Sequence, residues 1–201
     1  MCLSNAFALF CLKNMHITSN EFELISNKTL IEQKQAAITN MVNRFHQLAA
    51  TLRVELQKEN LWNENLFGGR HHKVTKGENF HGFPFVVLDT PQLGGGEIKV
   101  ALRTLFWWGH HFSCQFIITK ENFPIDNNYL QKLTALTTQI YTGEDMWEQN
   151  LLSPYFKPVE ANKCTQNFLK LGMIIPLSDY EKLEEKAVAF YSCCLGMYQA
   201  K

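Results

Sequence analysis

Hydrophobic and polar positions alternate most cleanly between residues 97 and 120, EIKVALRTLFWWGHHFSCQFIITK. Even positions read Ile98, Val100, Leu102, Thr104, Phe106 and Trp108; odd positions read Glu97, Lys99, Ala101, Arg103, Leu105 and Trp107. Side chains alternate across a strand, so this spacing predicts one apolar and one mixed face. Beyond Gly109 the alternation resumes, with Phe112, Cys114, Phe116 and Ile118 on one side and His111, Ser113, Gln115 and Thr119 on the other. Directly opposed residues share a face, which selects an odd-length loop. A loop of Gly109, His110 and His111 pairs Trp108 with Phe112, Phe106 with Cys114, Thr104 with Phe116 and Leu102 with Ile118. The prediction is a hairpin with both histidines at its tip.

Helical spacing flanks this hairpin. Thr29 to Glu32 resembles a capping box, and Ile31, Ile38, Met41, Phe45, Leu48, Leu52 and Leu56 recur on one side, predicting an amphipathic helix over 28–59. Residues 60–83 read as a glycine-broken connection with a short strand near Lys73 to Thr75. Phe83 to Leu88 reads as a buried strand that Asp89, Thr90 and Pro91 end, and the glycine triplet 94–96 links it to the hairpin. Pro124 and Asp126 open a helix with Leu130, Leu133, Leu136, Ile140 and Tyr141 on one face, closed at Gly143. A short helix over 144–152 and an irregular stretch over 153–167 follow. Phe168 to Ile175 reads as a strand, and Ser178 to Glu181 as a second capping box opening a helix to near Gln199. Helices and strands in this order predict an α+β fold: an antiparallel sheet centred on the 97–120 hairpin, with an N-terminal, a middle and a C-terminal helix mainly on one face. Residues 15–201 form a single domain in this reading, and residues 1–14 a loose extension or a mis-set start.

Charge narrows the partners. Nineteen basic and nineteen acidic residues cancel, which disfavours a duplex nucleic-acid binder and a polybasic membrane anchor. The apolar run from Ala6 to Leu12 falls well short of the roughly 18 residues a span needs, and it lacks a basic leader. Six cysteines show no CxxC spacing, and the vicinal Cys193 and Cys194 do not readily form an ordinary disulfide, which points to a reducing, cytoplasmic setting.

Three groups of residues offer chemistry. His71, His72, His81, His110 and His111 bear imidazoles, the commonest transition-metal ligands, and His71, His81 and His110 or His111 form a candidate metal set if the 68–82 loop folds over the hairpin tip. No HExxH or paired Cys-His spacing accompanies them, and each adjacent pair supplies one ligand at most. Arg70 and Arg103 are candidate anion partners, with an ion pair from Arg103 to Glu97 or Asp89 as the ordinary alternative. Trp107 and Trp108 are candidate stacking surfaces for a flat ligand, or simply core. Cys114 falls on the apolar face, which makes it an inert thiol.

The sequence therefore predicts a protein that binds a small, partly apolar molecule or a partner protein at the aromatic end of its sheet, without catalysis or cofactor. The alternative is a metal-dependent enzyme holding a divalent transition metal. A homodimer through the long first helix is the further partner expectation.

Overall fold

The computed structural model describes residues 17–62, 67, 71–92, 100–119, 127–159 and 167–199. The 1–14 segment, Arg70, residues 94–99 and the helix start at 124–126 lie outside them. The chain divides into two compact units, Met1–Asn40 and Met41–Lys201.

In the first unit, helix α1 (Ser19–Ser26) opens on a reciprocal capping box between Thr18 and Glu21. Helix α2 (Lys28–Lys58) follows at once, and its residues from Met41 on belong to the second unit. Its cap is Asn27, whose Oδ1 accepts from the Leu30 amide, and not the Thr29 box that the sequence suggests. Ile17, Phe22, Leu24, Ile25, Leu30 and Ile31 are all exposed.

The second unit holds the sheet. Its described strands are β1 (Lys73–Phe80), β2 (Phe83–Thr90), β3 (Val100–Trp107), β4 (His111–Thr119), β5 (Gln139–Tyr141), β6 (Phe156–Pro158) and β7 (Phe168–Pro176). They lie in the order β1-β2-β3-β4-β7-β5-β6, antiparallel at every pairing, so β1 and β6 form the two edges. Helix α3 (Asn127–Ala135) precedes β5, and a 3-10 turn (Leu177–Lys182) leads from β7 into helix α4 (Leu183–Gln199). This is the α+β class that the periodicities predict. Among the described residues no helix is long and apolar enough to cross a membrane.

One sheet face is apolar and carries helices. Leu102, Phe106, Phe112, Cys114, Phe116 and Ile118 are buried there. Tyr191 of α4 donates from its hydroxyl to the Arg103 carbonyl at 2.7 Å, and Thr104 donates in turn to Tyr191 at 2.9 Å. Arg44 of α2 meets Glu184 of α4, and Phe45, Leu48, Leu52 and Leu56 of α2 are fully buried. The opposite face lies under an irregular strap, residues 143–155. Leu151 of the strap sits over Gly172, where a Cβ would approach its side chain to 2.7 Å. Glycine in β7 is thus a seat for the second layer rather than a weakness in the strand.

The hairpin parity is as the alternation predicts, but the register is two residues away. Phe106 faces Phe112, Thr104 faces Cys114, Leu102 faces Phe116 and Val100 faces Ile118. The loop is Trp108, Gly109 and His110, closed by the His110 amide on the Trp107 carbonyl. Gly109 takes φ 73° at the third position of this turn, a conformation that glycine adopts without strain, and this fixes the register. His111 therefore begins β4 and is buried, instead of lying at the tip.

Other expectations need correction. The connection over 60–83 contains a full strand, β1, joined to β2 by His81 and Gly82, both at positive φ, as a tight two-residue hairpin turn demands. The middle helix stops at Ala135; Thr137 turns the chain at φ 55°, and Ile140 and Tyr141 enter the sheet as β5. Residues 144–152 are not helical. Asp145, Glu148 and Asn150 accept from the amides of Trp147, Asn150 and Leu152, and these short-range bonds compete with helical pairing. The Ser178 box does not cap a helix; Asp179 pairs with Lys186 instead.

Gly172→Val will force Leu151 off its seat and lower stability by about 1–3 kcal/mol, the usual range for overpacking. Urea unfolding checks this, with Gly196→Ala as contrast: its Cβ meets nothing within 4 Å, and the change in helix α4 will stabilise by about 0.5–1 kcal/mol.

Candidate functional site

Strand alternation sends Phe85, Val87 and Asp89 of β2 and Arg103, Leu105 and Trp107 of β3 to the strap side of the sheet. His111, Ser113 and Gln115 of β4 join them, with Lys170, Gly172 and Ile174 of β7. Rows form across it: Asp89, Arg103, Gln115, Gly172; then Val87, Leu105, Ser113, Ile174; then Phe85, Trp107, His111, Pro176. Three consecutive inward positions of β4 are thus polar. Each carries a buried atom without a hydrogen-bond partner among the described residues: His111 Nε2, Ser113 Oγ and Gln115 Oε1. At two-residue spacing they extend along about 13 Å of strand. Leu105 and Ile174 wall Ser113, and Trp107 and Pro176 flank His111, so a polar line runs between apolar sides.

Charge is concentrated at one end of that line. Arg103 and Asp89, directly opposed on β3 and β2, form a two-point pair: Nε donates to Oδ1 at 2.6 Å and Nη2 to Oδ2 at 3.1 Å. The guanidinium also lies 5.5 Å from the Trp147 ring of the strap. Lys170 is fully buried. Its Nζ donates to the Met146 carbonyl at 2.9 Å and to the Glu148 carbonyl, with the rings of Tyr141 and Phe156 beside it. Burial pushes its ammonium down to about 7; the Arg103 charge adds to the depression, and Glu148 and Asp145 oppose it. A neutral amine has two N–H groups, and the two carbonyls match them. Gln115 Nε2 donates to the Gln149 carbonyl, a third bond from sheet to strap.

The histidines divide between two places. His110 lies flat on Trp107, with centroids 3.7 Å apart and planes 4° apart, and its Nδ1–H donates to the Trp108 carbonyl at 2.8 Å. His111 meets Trp107 edge-on at 5.5 Å and His81 tilts against it at 5.6 Å. Phe80 packs on the same ring, and its carbonyl accepts from the indole N–H at 3.0 Å. Trp107 is thereby enclosed by its own chain. Trp108 is half-buried on the helix side, 6.1 Å from Phe106. Burial lowers the His111 pKa, with His110 contributing. His71 is exposed. His72 instead meets His46, which stands beside the apolar stripe of α2. Among the described residues no three His, Cys, Asp or Glu side chains assemble as a metal set.

Arg103 takes the ion-pair alternative with Asp89, while Arg70 lies outside the described residues. Cys114 is buried on the helix side with its thiol pushed up to about 12 by burial, which leaves it unreactive. Sequence reasoning misses Lys170 and the strap. The alternation of Phe168, Lys170 and Gly172 against Leu169, Leu171 and Met173 was the available signal for an inward lysine.

Two outcomes follow from the charged end. The folded Lys170 pKa lies below its unfolded value, so between pH 7 and 8.5 the unfolded chain holds more protons and stability rises with pH. Denaturant unfolding of wild type and Lys170→Met across that window will show the wild type gaining about 1–2 kcal/mol relative to the variant; a flat difference means that the folded lysine is charged. Arg103→Met alone will lose about 3–5 kcal/mol by stranding Asp89, and Arg103→Met with Asp89→Leu will recover most of it in the same assay.

Comparison with protein-family models, curated proteins and solved structures gives no match for this chain.

Proposed function

We propose that this chain is a non-enzymatic binding protein whose small, partly apolar ligand lies along β4 on the strap side of the sheet. The carrying observation is the line of three buried polar atoms without partners, His111 Nε2, Ser113 Oγ and Gln115 Oε1. Buried polar groups are nearly always hydrogen-bonded, so such a line asks for partners from outside the chain, and a ligand with matching polar groups supplies them together. The apolar walls of Leu105 and Ile174 suit a hydrocarbon or aromatic body. The guanidinium of Arg103 spends two of its five N–H groups on Asp89, and the others suit a hydrogen-bond acceptor at the Gln115 end. Entry requires the strap to lift, which breaks its bonds from Lys170 and Gln115 and leaves the strand pairing of the sheet intact. The free thiols Cys114, Cys193 and Cys194 support a cytoplasmic setting.

A protein partner, or a second copy of this chain, is the other reading. It rests on the exposed Ile17, Phe22, Leu24, Ile25, Leu30 and Ile31 of the first unit, since clustered exposed apolar side chains mark interaction surfaces.

Native mass spectrometry of untagged protein, with thermal shifts against a panel of aryl and alkyl carboxylates and phosphate esters, tests the ligand reading. We expect a co-purified small molecule or a melting shift above about 2 °C, a change readily resolved for a chain of this size. Ser113→Val will abolish it while remaining folded. No adduct and no shift across the panel would remove the reading.

A further inference from the structure

His46 projects from α2 and His72 stands just ahead of β1, and both side chains are exposed. Their ring nitrogens, His46 Nδ1 and His72 Nε2, are 2.9 Å apart. Ring centroids are 5.2 Å apart and the planes are inclined at 65°. Two nitrogens at this distance share one proton: one ring donates, and the other offers its lone pair. We propose that a divalent transition-metal ion replaces that proton, so that His46 and His72 form a two-imidazole clamp tying α2 to the start of the sheet.

The geometry carries this. Imidazole nitrogens bind such ions at about 2.0–2.1 Å. Two of them 2.9 Å apart subtend roughly 90° at a shared ion, the angle between neighbouring positions of a square-planar or octahedral centre. The rings lie nearly in line, the disposition of a straight N–H···N bond. Both side chains reach solvent, so a modest rotation of each ring turns its lone pair toward a common point. His46 Nε2 and His72 Nδ1 remain to carry the ring protons. Water completes the coordination, because no third His, Cys, Asp or Glu joins the pair among the described residues.

A clamp of two nitrogens follows the usual order of divalent affinities, copper above nickel and zinc, with magnesium and calcium inert. It also stabilises, because the unfolded chain does not hold the two rings together. The clamp is independent of the ligand reading on β4, and failure of either leaves the other standing.

The test uses the untagged full chain, treated with EDTA and dialysed, then melted with and without copper(II), zinc(II) or magnesium(II) chloride. Copper and zinc are expected to raise the midpoint by several degrees, on the order of 5 °C at a hundredfold excess over the dissociation constant, and magnesium to leave it unchanged. His46→Gln and His72→Gln will each abolish the rise. His71→Gln, His81→Gln and His110→Gln will keep it, and equilibrium dialysis will give one zinc per chain, lost in His46→Gln. No rise in wild type, or a rise that survives in both His46→Gln and His72→Gln, overturns the clamp. So does a rise lost equally in His81→Gln or His110→Gln, which would move the ion to the hairpin tips.

Discussion

A buried lysine amine and the carbonyls above it govern the second layer of this molecule. The central strands β3, β4 and β7 are covered on both sides, yet one of those sides carries Arg103, Gln115 and Lys170. Helices on that side would present few free carbonyls, because their own ladders use them. An irregular strap has carbonyls to offer, and Met146, Glu148 and Gln149 supply them to Lys170 and Gln115. The non-helical character of residues 143–155 is therefore matched to the polar strand residues beneath it. Leu151 over Gly172 adds the apolar contact that holds the same segment down.

The other end of the sheet shows the opposite economy of interactions. His110, His81, Phe80 and His111 surround Trp107 through ring contacts, and main-chain carbonyls accept from the Trp107 and His110 rings. A cluster that reads in sequence as a metal or stacking site is, in three dimensions, the closure of two adjacent hairpin ends. The ring faces are occupied by neighbours of the same chain. Open hydrogen-bonding capacity begins at His111 Nε2 and continues along β4 at Ser113 and Gln115.

The legible features were those carried by period and parity. Alternation assigned the faces of β3 and β4 correctly, because a shift of two residues leaves every side chain on its face. It did not fix the pairing, which depends on Gly109 occupying the third turn position rather than the first loop position. Long apolar spacing identified α2 and α4, whose buried stripes run from Ile38 to Leu56 and from Leu183 to Leu195. It failed over residues 136–143, where Leu136, Ile140 and Tyr141 fit a helical stripe but Thr137 reverses the chain. The turn at His81 and Gly82 was hidden because the usual signature of a two-residue hairpin turn is asparagine or aspartate ahead of the glycine, and here a histidine stands in that place. The candidate site was half-legible. Arg103, Trp107 and His111 were chosen, but Lys170 and the unpartnered atoms of Ser113 and Gln115 depend on the strap, which has no period to read. The pairing of His46 with His72 joins residues 26 positions apart and has no local signature.

The two ends of the strand order have a bearing on how the molecule meets its neighbours. At one end β1 exposes Lys73, Lys76 and Glu78 along a strand whose register shifts between Gly77 and Phe80. At the other, β6 is three residues long and terminates in Pro158, which has no amide hydrogen to donate. Charge, irregularity, brevity and proline are the means by which natural sheets resist strand-to-strand addition. Growth into ribbons or fibrils by edge pairing is thus discouraged at both described borders, and any assembly this protein enters is directed to its side-chain surfaces.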